Sequence, residues 1–250
     1  MVRCSAPYGD WRFGCWPGLR GRRGLGHVRG RGFGGQGMAG EEIGVAVLAD
    51  LLQARAASGG RVIVAIAGAP GSGKSTLAEK LVSKLNGRQP GLAAVLPMDG
   101  YHYDDLYLVP AGLRPRKGAP HTFDVGGLYH TLQRLRAREE AEVFVPVFDR
   151  KIEIARAGAR LIPREVPVIV VEGNWLLLNQ APWDRLRPLF DVTVMVDVPE
   201  HVLRARLRGR WERLGLSEAE IVEKLEDNDL PNGRLVRDGS DPPDYLLKNS

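Results

Sequence analysis

The β-branched run RVIVAIA (61–67) opens directly into GAPGSGKST (68–76), and this junction constrains the chain more than any other stretch. A continuous apolar run of that length is the pattern of a strand buried on both faces. Gly68, Gly73, Lys74 and Ser75 satisfy G-x-x-x-x-G-K-[ST], with Ala69, Pro70, Gly71, Ser72 and Thr76 completing the loop, and the amphipathic STLAEKLVSKL follows. Glycines let such a loop turn its backbone N–H groups inward around phosphate oxygens, and the following helix N-terminus adds positive potential at the same place. Lys74 is expected to bridge the β- and γ-phosphates of ATP and Ser75 to ligate Mg²⁺.

Further apolar strand candidates are AAVLPM (93–98), VPVIVV (166–171) and DVTVMVDV (191–198), separated by helical patterns near 75–86, 125–138 and 200–214. Strands alternating with helices predict an α/β fold, a mostly parallel sheet with helices on both faces in three layers. EVFVPVF (142–148) and ARLI (159–162) are expected to pair as a small side ribbon. Ahead of the first buried strand, Ile43, Val47, Leu48, Leu51 and Leu52 recur at helical spacing and predict a helix ending near Ser58-Gly59-Gly60.

The formal charge of +5 is unevenly spread: residues 1–40 hold seven Arg and one Asp, a net of +6, which leaves −1 for the rest. The body therefore carries no net field to attract nucleic acid. Residues 1–37 are rich in Gly and Arg and lack hydrophobic periodicity, the composition of a disordered tail. A transit peptide, an RNA-binding Arg/Gly tail, a dispensable extension and a start placed upstream of Met38 are its alternative readings. Residues 38–250 form the expected folded domain. Both cysteines, Cys4 and Cys15, lie in the tail. A body without cysteine fits a reducing, cytoplasmic compartment, and no apolar run approaches the roughly 18 to 20 residues of a membrane span.

A phosphate-binding loop leaves switch, motor, transporter ATPase and kinase open. The chain contains no N-K-x-D motif and no LSGGQ signature, and has little room for a coupled mechanical domain, which makes a small-molecule kinase the leading class. MDGYHYDD (98–105) then gains a meaning. In an open parallel sheet ligands collect beyond the carboxyl ends of the strands, where the loop and Asp99 both emerge. There Asp99 can accept the proton of an attacking hydroxyl. Glu172, closing the run VIVVEG, can hold Mg²⁺. Leu203, Leu207, Trp211 and Leu214 form one helical stripe, with Arg206, Arg210 and Arg213 beside it, either a closing element that neutralises transferring phosphate or a solvated basic face.

These motifs, with RKGAPHTFD (116–124), VPVFDR (145–150), VVEGNWLLL (170–178) and NDLPNGRLV (228–236), resemble the phosphoribulokinase/uridine kinase-like family of P-loop kinases. That family also holds bacterial pantothenate kinase and sugar kinases associated with fructose transport, and the last motif and the YHYDD form are most similar to the fructose-kinase-like branch. The resemblance spans Arg61 to Asn249. It implies a P-loop NTPase fold with a helical lid, Asp99 as the catalytic acid, Ser75 and Glu172 as Mg²⁺ contacts, and Arg206 and Arg210 as phosphate-facing lid residues. It further implies an acceptor pocket framed by the ribbon and by the loop from Arg116 to Asp124. Tyr101 and His121 are its candidate substrate residues, against the alternatives that Tyr101 packs and that His121 caps the helix starting near Asp124. Where the uridine kinase branch carries His-Pro-Asp before Phe-Asp, this chain has Ala119-Pro120-His121-Thr122-Phe123-Asp124. The expected activity is phosphoryl transfer from ATP to a hydroxyl of a small metabolite, a sugar first, with nucleoside or pantothenate as alternatives and a nucleotide-binding regulator as the reading outside enzymes. The expected partners are that small molecule and, at most, a second copy in a homodimer, with no nucleic acid for the body and no membrane.

Overall fold

A computed structural model describes residues 40–249 of the chain. The tail expected over residues 1–37, with Cys4 and Cys15, lies outside the described residues. The chain begins its described part with β1 (Glu41–Glu42), α1 (Val45–Ala57), β2 (Val62–Gly68) and α2 (Lys74–Arg88). It continues through β3 (Ala93–Pro97), a short 3-10 turn (Met98–Tyr101), α3 (Asp105–Leu108) and α4 (Val125–Ala137). A ribbon of β4 (Glu142–Asp149) and β5 (Ile154–Pro163) leads to β6 (Val168–Gly173) and β7 (Val192–Asp197). Helices α5 (Glu200–Arg213), α6 (Glu218–Glu223) and α7 (Leu230–Gly239), with a π-helical turn (Lys224–Asp229) between the last two, precede β8 (Tyr245–Lys248).

Six strands form one sheet in the order β1-β8-β7-β2-β6-β3, and every pair in it is parallel. The alternation of side chains along β2 makes the three layers. Ile63, Ala65 and Ala67 enter a core with Leu128, Leu132 and Leu135 of α4, Trp175 and Trp183. Val62, Val64 and Ile66 enter a second core with Leu48 and Leu52 of α1 and Leu77, Leu81 and Leu85 of α2. With strand neighbours on both sides and an apolar core on each face, β2 has no polar position to offer, hence its unbroken aliphatic run. A third, smaller cluster joins Leu203 and Leu207 of α5 to Ala69 of the loop and to Ile221, Leu225 and Leu230.

The antiparallel ribbon forms as expected, with a register shift between Val145 and Val147 that places Pro146 at the irregularity, where its missing N–H costs no ladder bond. Some expectations shift. The helix anticipated from the spacing of Ile43 to Leu52 starts at Val45, because Glu41 and Glu42 pair with Tyr245 and Leu246 of β8. Val47 faces outward, as does Leu214, which caps α5 and does not extend its apolar stripe. The strand anticipated over 166–171 begins at Val168 and runs through Glu172, so that acid is a strand residue. Among the described residues no helix is long and apolar enough to cross a membrane.

Candidate active site

Strand register brings the chemistry to one edge. Glu172 stands opposite Ile66 of β2 and Pro97 of β3, so the phosphate loop leaving β2 and Asp99, two residues past Pro97, flank the same acid. The loop turns through Gly73, whose φ of 85° lies in the left-handed region that a side chain disfavours. No side chain caps α2, so the N–H groups of its first turn are left for an incoming anion. Within the loop the Ser72 hydroxyl is buried without a partner. The Asn249 side chain braces the loop from outside, donating from Nδ2 to the Ser72 carbonyl at 2.7 Å.

Lys74 is 9% exposed, and burial lowers its pKa against the opposing pull of Glu172 and Asp99. The Ser75 hydroxyl donates to Glu172 Oε2 at 2.8 Å. Burial first, and then repulsion from Asp99, raises the Glu172 pKa. A hydroxyl against a carboxylate that lacks enough positive charge is a donor set suited to Mg²⁺. That ion takes oxygen ligands, keeps several waters and needs only one or two carboxylates beside substrate phosphates. Consistent with so sparse a set, the described residues contain no cluster of three or more His, Cys, Asp or Glu side chains placed to hold a metal.

Asp99 and Lys74 line one cavity of about 130 Å³, together with Gly71, His102, Phe123, Phe148, Arg150, Asn174 and Arg210. The Asp99 turn is pressed against the ribbon at Gly100, where any Cβ would overlap the Pro146 carbonyl. This contact sets the ribbon tip over the acid, and Arg150 donates to Asp99 Oδ2 at 2.7 Å. Burial raises the Asp99 pKa, but His102 and the cations of Arg150, Lys74 and Arg210 together hold it below the ordinary carboxylate value. His102 Nδ1 lies 2.7 Å from the Asp99 carbonyl, and its ring packs on Phe123 and Phe148 with centroids 4.0 and 4.8 Å away. Burial lowers the His102 pKa.

Not every anticipated residue reaches this cavity. Arg210 does, but Arg206, one turn earlier on α5, is half-buried and does not line it. Tyr101 packs in the core at 7% exposure, its hydroxyl pKa pushed up to about 12 by burial, so the packing alternative describes it. Arg116 donates to the Asp227 carbonyl, and with exposed His121 it lines a separate cavity of about 370 Å³ beside Trp183 and Leu235. His121 is not the cap of α4, since Asp124 Oδ1 accepts from Gly127 N–H at 2.8 Å. Trp175 is core and donates to the Gly118 carbonyl. Sequence reasoning missed Arg150, His102 and Asn174. Each stands in or beside a quoted motif, but a hairpin tip and a strand exit give no periodic signal of which way a side chain points.

No family model matches the chain. It is 33% identical over 195 residues to the Schizosaccharomyces pombe protein named "Putative uridine kinase C227.14", covering 75% of this chain and 83% of that one. The crystal structure of a "putative fructose transport system kinase" from Silicibacter sp. TM1040 is 39% identical and superposes with a TM-score of 0.74 over 82% of this chain and 98% of that one. YFH7 from Saccharomyces cerevisiae, at 20% identity, TM-score 0.72 and 83% and 100% coverage, shares the fold. The first relative spans most of both chains, and the phosphate loop, the facing acid and the parallel sheet are all in place: the chain belongs to the P-loop kinase family.

Proposed function

We propose that the protein transfers the γ-phosphoryl group of ATP to a hydroxyl of a small metabolite, with Mg²⁺, and that a sugar is the acceptor. The observation that carries this reading is the single cavity shared by Lys74 of the phosphate loop and Asp99. The ATP-dependent and fructose-related descriptions of its relatives support the nucleotide and the acceptor class, while the S. pombe relative's name supports a nucleoside as the second choice.

In this mechanism the loop N–H groups and Lys74 hold the β- and γ-phosphates. Ser75 and Glu172 would hold Mg²⁺, which supplies charge neutralisation at the phosphate oxygens. Asp99 orients the acceptor hydroxyl and takes its proton as the new O–P bond forms and the bond from the γ-phosphorus to the bridging oxygen breaks, releasing ADP. Because a carboxylate held below its ordinary pKa is a weak base, orientation is its larger contribution, in keeping with a loose transition state. Arg210 balances charge on the transferring group.

Asp99→Asn tests the reading. It is expected to lower kcat about 10²- to 10⁴-fold while ATP binding persists. An unchanged slow hydrolysis of ATP, with no acceptor stimulating it in either form, would favour a nucleotide-binding regulator instead.

A further inference from the structure

Helix α5 leaves the phosphate loop with two adjacent residues turned into the cavity. Leu207 packs on the loop at Gly71, where a Cβ would lie 2.9 Å from the leucine Cγ. One turn on, the same face of the helix carries Arg210 and Trp211, and both line the cavity that holds Lys74 and Asp99. The Trp211 ring carries two cations. The Arg210 guanidinium carbon lies 4.8 Å from its centre and Lys224 Nζ lies 5.6 Å from it.

Several charges on these helices are paired, Arg204 with Glu226, Arg208 with Glu218 and Arg234 with Glu200. Among the described residues the side chains of Arg210 and Lys224, both facing the cavity, have no hydrogen bond and no ion pair. The carboxylate at this platform, Asp229, accepts instead from Trp211 Nε1 at 2.8 Å. Burial raises the Asp229 pKa against the pull of that hydrogen bond and of both cations. Two like charges held beside one ring, with the neighbouring acid turned to the indole N–H, leave positive potential that an incoming anion can neutralise.

Lys224 reaches the ring through the π-helical turn Lys224–Asp229, a rare local conformation that recurs at functional sites. In an α-helix, residues five apart stand well round the axis from each other. The wider turn brings Lys224 and Asp229 to one side, where both meet Trp211. Leu225, next to Lys224, joins Leu207, Ala69 of the loop and Trp211 in one small apolar cluster. Packing therefore ties the two cations to the phosphate loop, and they share the cavity with Asp99.

We infer that Lys224 and Trp211 complete a clamp with Arg210 on the γ-phosphoryl group of bound ATP, Lys224 touching its oxygens and Trp211 positioning both cations. This rests on the kinase reading above and adds to it a phosphate-contacting lysine from outside the loop.

Binding of AMP-PNP, a non-hydrolysable ATP analogue, and of ADP to the full chain with Mg²⁺, followed by calorimetry, tests the clamp without an acceptor. The two nucleotides differ by the group the clamp would hold. Lys224→Met is expected to lower the ratio of AMP-PNP to ADP affinity about 5- to 20-fold with ADP affinity unchanged, and Lys224→Arg to keep most of the parent's ratio. Trp211→Leu should lose a similar amount. Trp211→Phe, which keeps a ring but strands Asp229, should lower Tm yet hold the ratio within about 3-fold of the parent. A Lys224→Met protein with the parent's ratio would overturn the inference and leave the kinase reading intact, assigning the unpaired cations to a charge on the acceptor. Equal losses from Trp211→Phe and Trp211→Leu would overturn the positioning role of the ring. Failure of the parent to bind either nucleotide would overturn both the clamp and the kinase reading.

Discussion

The two halves of the proposed catalytic cavity are built differently. The phosphate side is local: one strand, one loop and one helix, contiguous from Val62 to Arg88, with Glu172 brought alongside by a parallel neighbour. The proposed acceptor side is assembled from a turn after β3, the tip of a ribbon some fifty residues later, the exit of β6 and helices α5 and α7. A contiguous site has its geometry fixed by backbone conformation, so its residue types are tightly prescribed. An assembled site depends on docking between elements, so its specificity can change by altering one contact while the phosphate side stays intact.

Perturbations should sort along that division. The largest effect is expected on the phosphate side: Lys74→Ala should lower kcat/KM about 10²- to 10³-fold, whichever acceptor is used, as steady-state ADP release would record. Glu172→Gln should next raise the Mg²⁺ concentration needed for half-maximal rate about 10- to 100-fold, without altering the ranking of acceptors. On the acceptor side, Gly100→Ala drives a methyl into the Pro146 carbonyl. It should cost about 1 to 3 kcal/mol, seen as a lower Tm, and should raise the acceptor KM more than the ATP KM because it lifts the ribbon from Asp99. The smallest effect belongs to His121→Ala, outside the cavity and exposed: turnover and KM should stay within about 2-fold of the parent, as surface substitutions usually do. A large loss from His121→Ala, or a Gly100→Ala penalty that falls on ATP alone, would break the division.

The same division explains what could be read from the chain beforehand. The sheet was legible because β2, β6 and β7 are buried on both faces and admit little but Val, Ile and Ala, and the loop because its glycines and Lys74 have a fixed spacing. Asp99 and Glu172 were legible because each follows or ends an apolar strand. Arg150 was not. Its role comes from a register shift at Pro146 and a backbone contact at Gly100, pairings between segments that leave no periodicity. Arg206 and Arg210 are equally basic and one turn apart, and only the docking of α5 through Leu203 and Leu207 distinguishes them. Tyr101 stood out as a ring beside an acid, yet alternation in a tight turn sends it to the core while His102, next in line, faces the cavity. β8 and the π-helical turn had no strong pattern because each is short and held by its neighbours.

The central claim is that the phosphate loop and Asp99 act on one reacting phosphorus. Following a radiolabelled γ-phosphate through a single turnover with a saturating acceptor tests it most directly. The account predicts that the label leaves ATP for the acceptor's hydroxyl oxygen, and that in Asp99→Asn it stays on bound ATP. Label released only as inorganic phosphate, at a rate the substitution does not change, would contradict it.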